Sequence, residues 1–386
     1  MTTTWAGVTS DIAKVAEDWR GDRAERQARR HLDEGDFGRL ADAGFLRVAV
    51  PEDMGGLWRS VAETTGPICN VLRTLAAADP SVALVSSMHP AVLGFWLASP
   101  DAARPDWAAQ REAVFATAAG GAQWGTITSE PGSGGDILRT KSRAIPDGDA
   151  DGPVPGAAYR VSGDKHFGSG SGVASFMITT AVPEGEDAPT VFVLDQRGRP
   201  WDGSSGVQLI AEWDGMGMAA TQSHAMRLEA CPATRFAWDG PIEEITLRAG
   251  PLISSLFTAV VLGVFDEAIR TAKAQLEPKA DSLRPYEQVE WTRAELDHWV
   301  AVQAFEGALR AVASDDPKAL YATLRAKEAV AELAESSLAR LGRVIGGATF
   351  SRRSPFASWF EDVRALGFLR PPWGLAYDSL FLTSFS

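Results

Sequence analysis

The sequence predicts an α+β protein in three parts: an N-terminal all-α domain over residues 1–119, a middle β domain over 120–240 and a C-terminal helical bundle domain over 241–386. Three observations support this prediction. Apolar residues keep helical spacing before about residue 118, β-rich runs appear between about 120 and 240, and helical spacing returns after about residue 244. The length of 386 residues, 45% of them hydrophobic, suits two or three domains with a large core.

The N-terminal part is predicted to be helical from about residue 9. Its clearest apolar stripe runs over residues 37–45 at i, i+3, i+4, i+7 and i+8, with Gly44 placed to end the turn. An alanine-rich stretch at 71–78 is similar, and an Asp-Pro pair follows it. We therefore expect another helix to begin there, capped by Asp79 or Ser81.

The middle part reads as strands. Residues 175–181 and 190–194 are rich in β-branched and aromatic side chains and are bounded by Gly, Pro, Asp and Glu clusters. Residues 146–158, which are rich in Gly, Asp and Pro, are predicted to form an exposed loop.

The longest helical pattern lies in the C-terminal part. Apolar residues from Ile253 to Ala268 keep one stripe over more than four turns, and such a stripe needs partner helices to cover it. Residues 286–313 and 320–345 are long enough to be those partners. The pattern therefore predicts an antiparallel bundle.

Composition argues against several classes of partner. A formal net charge of −13 and a pI near 5.0 would repel nucleic acid and anionic membranes. The cysteines, Cys69 and Cys231, lack the spacing of a metal site or a disulfide framework. No secretion signal and no run of about 18 apolar residues is visible, so we expect a cytoplasmic protein that binds no metal, membrane or nucleic acid.

The functional signal lies in short stretches at residues 40–46, 50–56, 128–136, 159–170, 213–223 and 345–365. In this order, and over almost the whole chain, they resemble the acyl-CoA dehydrogenase superfamily of flavoproteins. The resemblance implies an N-terminal helical domain, a middle β-barrel domain and a C-terminal four-helix bundle, with the flavin between barrel and bundle. It also implies a homotetramer or homodimer.

The most specific stretch is Thr-Ser-Glu-Pro-Gly-Ser-Gly-Gly-Asp at 128–136, which resembles the family loop that faces flavin and acyl thioester. The resemblance implies that four residues lie along the isoalloxazine ring, with main-chain amides and a serine hydroxyl near its polar edge: Thr126, Ile127, Thr128 and Ser129. Gly135 stands where the family has a serine that touches the thioester.

Two further stretches imply contacts with the cofactor. Phe167 and Ser169 take the places of the aromatic and hydroxyl residues that contact the flavin in the family. The Lys-x-Phe-x-Ser-Gly pattern in which they stand is more similar to the sequences of the flavin monooxygenases built on this fold than to those of plain dehydrogenases. The Gly346–Gly347 turn resembles the turn that meets the flavin dinucleotide of a neighbouring subunit. Arg343 could pair with a phosphate there.

The pattern breaks at the catalytic base. By the resemblance, the usual glutamate should fall at Arg370, whose guanidinium cannot act as a base at neutral pH. The other position used by relatives corresponds to Ile253–Ser254, which offers no carboxylate. His89 is then the best titratable candidate, either for proton exchange during oxygen chemistry on the flavin or as the substrate base. Trp373 is predicted to shape the pocket mouth.

These features predict a flavin-dependent oxidoreductase that acts on an acyl-CoA or acyl-carrier thioester without the usual glutamate. Three features slightly favour oxygen-using monooxygenation: the missing catalytic base, the Phe-Gly-Ser-Gly pattern at 167–170 and His89. One alternative is a conventional acyl-CoA dehydrogenase with a displaced base, and another is a non-catalytic subunit that supports an active partner. The resemblance implies FAD as the cofactor, with FMN as the alternative because the family's dinucleotide-binding Arg-x-Phe-Gly stretch is not recognisable.

Overall fold

A computed structural model describes residues 3–100, 104–148 and 152–385. Helices occupy both ends of the chain, and a β-barrel lies between them. The N-terminal helices are α1 (Trp5–Gly21), α2 (Arg23–Ala28), α3 (Glu34–Asp42), α4 (Val61–Ala76), α5 (Pro80–Leu97) and α6 (Pro105–Ala119).

Two local predictions in this part are confirmed. Gly44 follows α3 with a φ of 82°, a left-handed conformation that glycine adopts without strain. The Asp79 side chain caps α5 by accepting a hydrogen bond of 2.9 Å from the Val82 amide, so Asp79 rather than Ser81 is the cap. α5 is buried along its whole length, which makes it a central helix of the fold.

The middle of the chain forms a closed barrel. Its strands are β1 (Trp124–Thr126), β2 (Arg143–Pro146), β3 (Ala158–Gly168), β4 (Phe176–Pro183), β5 (Thr190–Asp195), β6 (Val207–Ala211) and β7 (His224–Arg235). Hydrogen bonding runs β4-β2-β3-β7-β5 and returns from β5 to β4, which closes the ring. β1 joins β4 in parallel, and β6 pairs with β7.

The predicted strands at 175–181 and 190–194 correspond to β4 and β5, which pair antiparallel. The predicted loop at 146–158 holds the end of β2 and the start of β3, and no strand or helix lies between them in its described part; residues 149–151 lie outside the described residues.

The C-terminal part consists of α7 (Ile242–Leu276), α8 (Pro285–Ala313), α9 (Ala319–Ile345), α10 (Pro355–Val363) and α11 (Trp373–Ser384). The helices α8 and α9 confirm the predicted partners of the long apolar stripe on α7. α4 and α5 also pack against α7. A continuous apolar core therefore joins the N-terminal helices to the C-terminal ones, while a second apolar cluster fills the barrel. The three domain ranges remain a prediction.

Two segments are long and apolar enough to cross a membrane by composition, Pro80–Leu97 and Ile242–Ser282. Inside the fold, 94% and 83% of their most apolar windows are buried against other parts of the protein. Both segments are therefore core helices in this structure.

Candidate active site

A cavity of about 510 Å³ lies where the barrel meets the helices. Its walls come from β1, β4, β5, α5, α7, α9 and α11, and from the residues on either side of Gly135 and Arg370. Most of the lining is apolar, including Met88, Phe95, Ile178, Val191, Ile253, Phe257, Leu320 and Leu324. A largely apolar cavity with a few polar groups is the usual form of a binding site for a small organic molecule.

The structure brings four of the predicted site residues to the wall of this cavity: Thr126, Thr128, Gly135 and Arg370. The hydroxyl oxygens of Thr126 and Thr128 lie 3.4 Å apart, because residues two apart on an extended segment point to the same side. Ile127, between them, points into the barrel core. Its amide donates to the Ile178 carbonyl at 2.8 Å, so that amide is already used by the protein.

Arg370 connects the loop at 128–136 to the C-terminal part. Its guanidinium donates to the Gly135 carbonyl at 2.7 Å and to the Ser129 hydroxyl at 3.0 Å. Burial lowers the pKa of Arg370 to about 10, which still leaves the group protonated at neutral pH. The residue at the position of the family's base is therefore a cation that holds the loop in place.

Gly135 is required by the local packing. It has a φ of 82°, and a Cβ at this position would lie 2.7 Å from Cγ of Pro372. A larger side chain would therefore push the loop away from the segment that carries Arg370. This explains why the chain has glycine here, where the resemblance implied a serine.

The loop is also held by an ion pair that the sequence reasoning missed. The Glu130 carboxylate lies 2.5 Å from Nζ of Lys165, and it also accepts the amide of Lys141 at 2.6 Å. Burial would raise the pKa of Glu130, but these donors and the Thr140 hydroxyl hold it well below its usual range. Both residues belong to stretches that carry the resemblance. A carboxylate side chain in one stretch and an ammonium side chain in the other were the sequence features from which this ion pair could have been predicted.

Phe167 and Ser169 lie at the end of β3 and do not line the cavity. Phe167 has a φ of 59° and a side chain that is 59% exposed, and its ring meets Trp213 at a centroid distance of 6.1 Å. The Ser169 hydroxyl lies 2.8 Å from the Ser223 hydroxyl. An exposed aromatic ring of this size is a surface that a planar ring system could cover.

His89 lies in the middle of α5 and is fully buried. Its Nε2 donates to the Leu46 carbonyl at 3.0 Å, and its Nδ1 accepts the Trp124 amide at 3.2 Å, a tautomer that the two partners require. Burial lowers its pKa to about 4. His89 is not among the cavity-lining residues, and this arrangement favours a structural role over the predicted proton exchange.

The remaining predicted residues lie elsewhere. Arg343 pairs with Glu290 at 3.0 Å near the end of α9, and the Gly346–Gly347 turn follows it. From Leu324 at the cavity, 19 residues of helix to Arg343 span roughly 28 Å. Neither Arg343 nor this turn is among the residues that line the cavity.

Trp373 lines a different cleft, together with Glu332, Glu335, Ser336 and Tyr377. The Trp373 ring packs against Phe368, and a Cβ on Gly367 would lie 2.2 Å from it. The predicted role of Trp373 at the mouth of the main cavity therefore has no support in its position.

The barrel flanked by helices has the fold of the acyl-CoA dehydrogenase-like flavoproteins, and the relatives that this chain resembles belong to that superfamily. No family model matches the chain. The amino sugar nitrososynthase DnmZ of Streptomyces peucetius is 26% identical over 364 residues, covering 87% of this chain and 82% of DnmZ. A dibenzothiophene monooxygenase of Mycolicibacterium goodii is 27% identical over 299 residues, covering 72% of this chain and 63% of the relative.

Among solved structures, FMN-bound TdsC from Paenibacillus sp. A11-2 matches with a TM-score of 0.79 and 18% identity, covering 97% of this chain and 96% of TdsC. The relatives include oxygen-using enzymes, which confirms the predicted superfamily with its monooxygenase branch and shows that the chain is an enzyme. The names of these relatives give no support to the predicted acyl thioester substrate. Gly135 in place of the thioester-binding serine and Arg370 in place of the base agree with this correction.

Proposed function

We propose that this enzyme is a flavin-dependent monooxygenase that oxidises a compact, mainly apolar molecule in the cavity between barrel and helices. The observation that carries the proposal is the cavity itself: apolar side chains from α5, α7 and α9 surround it, and Arg370 stands where a dehydrogenase needs a carboxylate. An apolar lining suits oxygen chemistry because it disfavours water beside reactive species.

Dehydrogenation by a displaced base is less well supported by the lining. The carboxylates among the described lining residues are Asp136, Glu243 and Asp378. Glu243 and Asp378 are exposed to solvent, and Asp136 accepts the Leu138 amide at 2.9 Å. A base that removes an α-proton works best in a site that raises its pKa toward neutrality, and these positions do not offer burial of that kind.

Several residues fit a flavin. Thr126 and Thr128 line the cavity, the Ser129 hydroxyl is bound to Arg370, which also lines it, and the exposed Phe167 ring offers an apolar face. We propose that these residues hold the isoalloxazine ring, with Ser169 nearby. A bound flavin, once reduced by an external hydride or electron donor, would supply the two electrons that, with two protons, let one atom of O₂ enter the substrate while the other leaves as water.

We propose FMN as this flavin. The structure of TdsC is FMN-bound. In addition, the Arg-x-Phe-Gly stretch that contacts the dinucleotide in the family is not recognisable in this sequence.

The protein's own groups have three tasks in this proposal. The apolar side chains bind the body of the substrate and exclude water. Arg370 orders the loop by binding the Gly135 carbonyl and the Ser129 hydroxyl. Ser254 offers the cavity a buried hydroxyl that has no hydrogen-bond partner among the described residues, and it could bind one polar atom of the substrate.

The lining favours an aromatic or similarly apolar substrate over a sugar nucleotide. Among the described residues that line the cavity, Arg370 is the only cation. A nucleotide diphosphate is usually bound by several basic side chains or by the amides at a helix N-terminus. The apolar walls, in contrast, would bind an aromatic ring through its buried surface.

The test uses protein loaded with FMN. The flavin is reduced anaerobically, mixed with aromatic thioethers, indoles and aromatic amines, and exposed to ¹⁸O₂. We expect ¹⁸O in the product of at least one of these compounds, and no anaerobic bleaching of oxidised flavin by acyl-CoAs. Anaerobic bleaching with an enoyl product would instead establish dehydrogenation, and activity only with a second chain would establish the supporting-subunit alternative.

The flavin site has its own binding test. Thr128→Val keeps the side-chain shape but removes the hydroxyl of a residue that lines the cavity, so it should weaken FMN binding about three- to tenfold. Thr74→Val, on α4 outside the cavity, is the matched control. FMN fluorescence quenching measures both. Equal affinity of Thr128→Val and wild type would contradict this assignment.

A further inference from the structure

Arg370 is partly buried, and its surroundings differ from those of three fully buried cations among the described residues. Arg26 pairs with Asp36 at 2.6 Å and with Asp79 at 2.8 Å. Lys165 pairs with Glu130 at 2.5 Å, and Lys327 pairs with Glu328 at 2.9 Å. Each of these cations therefore has a carboxylate beside it, as the high free energy of burying an unpaired charge requires.

No described carboxylate forms an ion pair with Arg370. Its two protein acceptors are the Gly135 carbonyl and the Ser129 hydroxyl, which are both neutral. A guanidinium has five N–H donors, so these two bonds leave part of the fork unused. Asp136 lies in the same loop and acts on Arg370 only through longer-range attraction.

The position of this charge is fixed. Two hydrogen bonds anchor the guanidinium, and the contact of Gly135 with Pro372 holds the loop against the segment that carries it. A planar fork that is already oriented loses little freedom when it binds a planar oxygen pair. Such a group is suited to a carboxylate or a similar oxyanion.

We propose that Arg370 binds an anionic group of the substrate, so that the substrate is an apolar, aromatic-sized molecule that carries one carboxylate, sulfinate or comparable oxyanion. The inference rests on the proposed function, because it takes the cavity as the substrate site. The apolar wall receives the body of the molecule, and Arg370 supplies the charge that the described protein atoms leave unmatched. This places the oxyanion at the Ser129–Gly135 side of the cavity.

The same charge could act on a different anion, the reduced flavin, and the experiment separates the two sources. The probes are naphthalene-2-carboxylate and its neutral isostere naphthalene-2-carboxamide, which differ in charge but hardly in shape. Calorimetric titration of the FMN-loaded enzyme measures the affinity of each probe. We expect the wild type to bind the carboxylate about tenfold or more tightly than the amide.

Two variants locate that preference. Arg370→Gln should lose about tenfold or more in affinity for the carboxylate while its affinity for the amide changes little, and Arg370→Lys should keep part of the preference because it keeps the charge. Arg30→Gln removes an exposed arginine whose side chain binds only backbone carbonyls near the start of the chain, and it should leave both affinities unchanged. Circular dichroism checks that each variant is folded.

The outcomes are distinct. Equal binding of the two probes by the wild type would overturn the proposal, and this comparison does not depend on any variant being folded. A preference that survives in Arg370→Gln would also overturn it. A shift in the reduction potential of FMN in Arg370→Gln, without any carboxylate preference in the wild type, would assign the charge to the flavin instead. A carboxylate preference that depends on Arg370, without ¹⁸O incorporation, would support the anion site and contradict the monooxygenase function.

Discussion

Glu130 and Lys165 come from two separate stretches, 35 residues apart, and form a buried ion pair of 2.5 Å next to the cavity. Lys165 also donates to the Thr180 carbonyl of β4 at 2.6 Å. The pair therefore ties the loop that carries Thr128 and Ser129 to the barrel. The hydroxyls that we assign to flavin binding depend on a structural contact that has no part in the chemistry itself.

Removing one partner should destabilise the fold. Glu130→Gln leaves the Lys165 ammonium buried without a counter-charge, so we expect a loss of about 3 kcal/mol or more in the free energy of unfolding at pH 7. Urea unfolding measures it. The matched control is Glu52→Gln, which breaks the exposed pair of Glu52 with Arg59 and should cost less than about 1 kcal/mol. Similar losses for both variants would contradict the assignment.

Two glycines of the same loop should respond differently to alanine. Gly134 and Gly135 have φ values of 65° and 82°, but a Cβ on Gly134 meets open space whereas a Cβ on Gly135 meets Pro372. Both variants carry a backbone strain of about 1–2 kcal/mol. Only Gly135→Ala should also displace Arg370 and weaken FMN binding severalfold, as measured by fluorescence quenching. Equal FMN affinities of the two variants would contradict this expectation.

His89 should behave as a structural residue. His89→Ala removes the acceptor of the Trp124 amide and the ring's bond to the Leu46 carbonyl, and it empties a buried position, so we expect a loss of about 3 kcal/mol in unfolding free energy at pH 8. Burial depresses the pKa of His89 to about 4, below its ordinary value of about 6.5. The folded protein therefore binds fewer protons than the unfolded chain, and the stability of the wild type falls as the pH drops through this interval.

The variant has no such titration, so its deficit relative to the wild type should shrink between pH 8 and pH 5. Urea unfolding at the two pH values measures the change. A deficit that is independent of pH would show that His89 is not held in the neutral form.

Asp362 gives the opposite pH dependence. It lies on α10 and accepts the Met218 amide at 2.7 Å. Burial, together with the negative charges of Asp79 and Glu361, raises its pKa to about 7. The folded protein then keeps a proton that the unfolded chain has lost, so this contribution is full below about pH 4 and disappears as the pH rises through 7.

Asp362→Asn retains an oxygen for the Met218 amide but cannot ionise. Its unfolding free energy, relative to that of the wild type, should therefore increase from pH 5 to pH 8, by up to about 1.4 kcal/mol per pH unit. Asp11→Asn, on the exposed face of α1, controls for the loss of one negative charge. An identical difference at both pH values would refute the expectation.

The sequence by itself determined the local features of this protein. Periodicity located α7, α8, α9 and the strands β4 and β5, because burial of one face repeats along a helix or strand. Caps and turns were equally visible, since the Asp79 cap and the φ of Gly44 depend on neighbouring residues. The resemblance in short stretches indicated the superfamily. It also assigned Thr126, Thr128, Gly135 and Arg370 to one active site.

Only the tertiary structure decided what these residues do there. The bonds from Arg370 to Ser129 and Gly135 join residues 241 and 235 positions apart, and no local pattern encodes such a pairing. His89 looked like a free titratable group in the sequence, but packing supplies a partner for each of its ring nitrogens. Arg343 pairs with Glu290 of α8 and is not among the residues that line the cavity. Side-chain chemistry is a property of the sequence, whereas burial, pairing and distance arise when remote segments pack together, and these decide which charges are matched and which remain for a ligand.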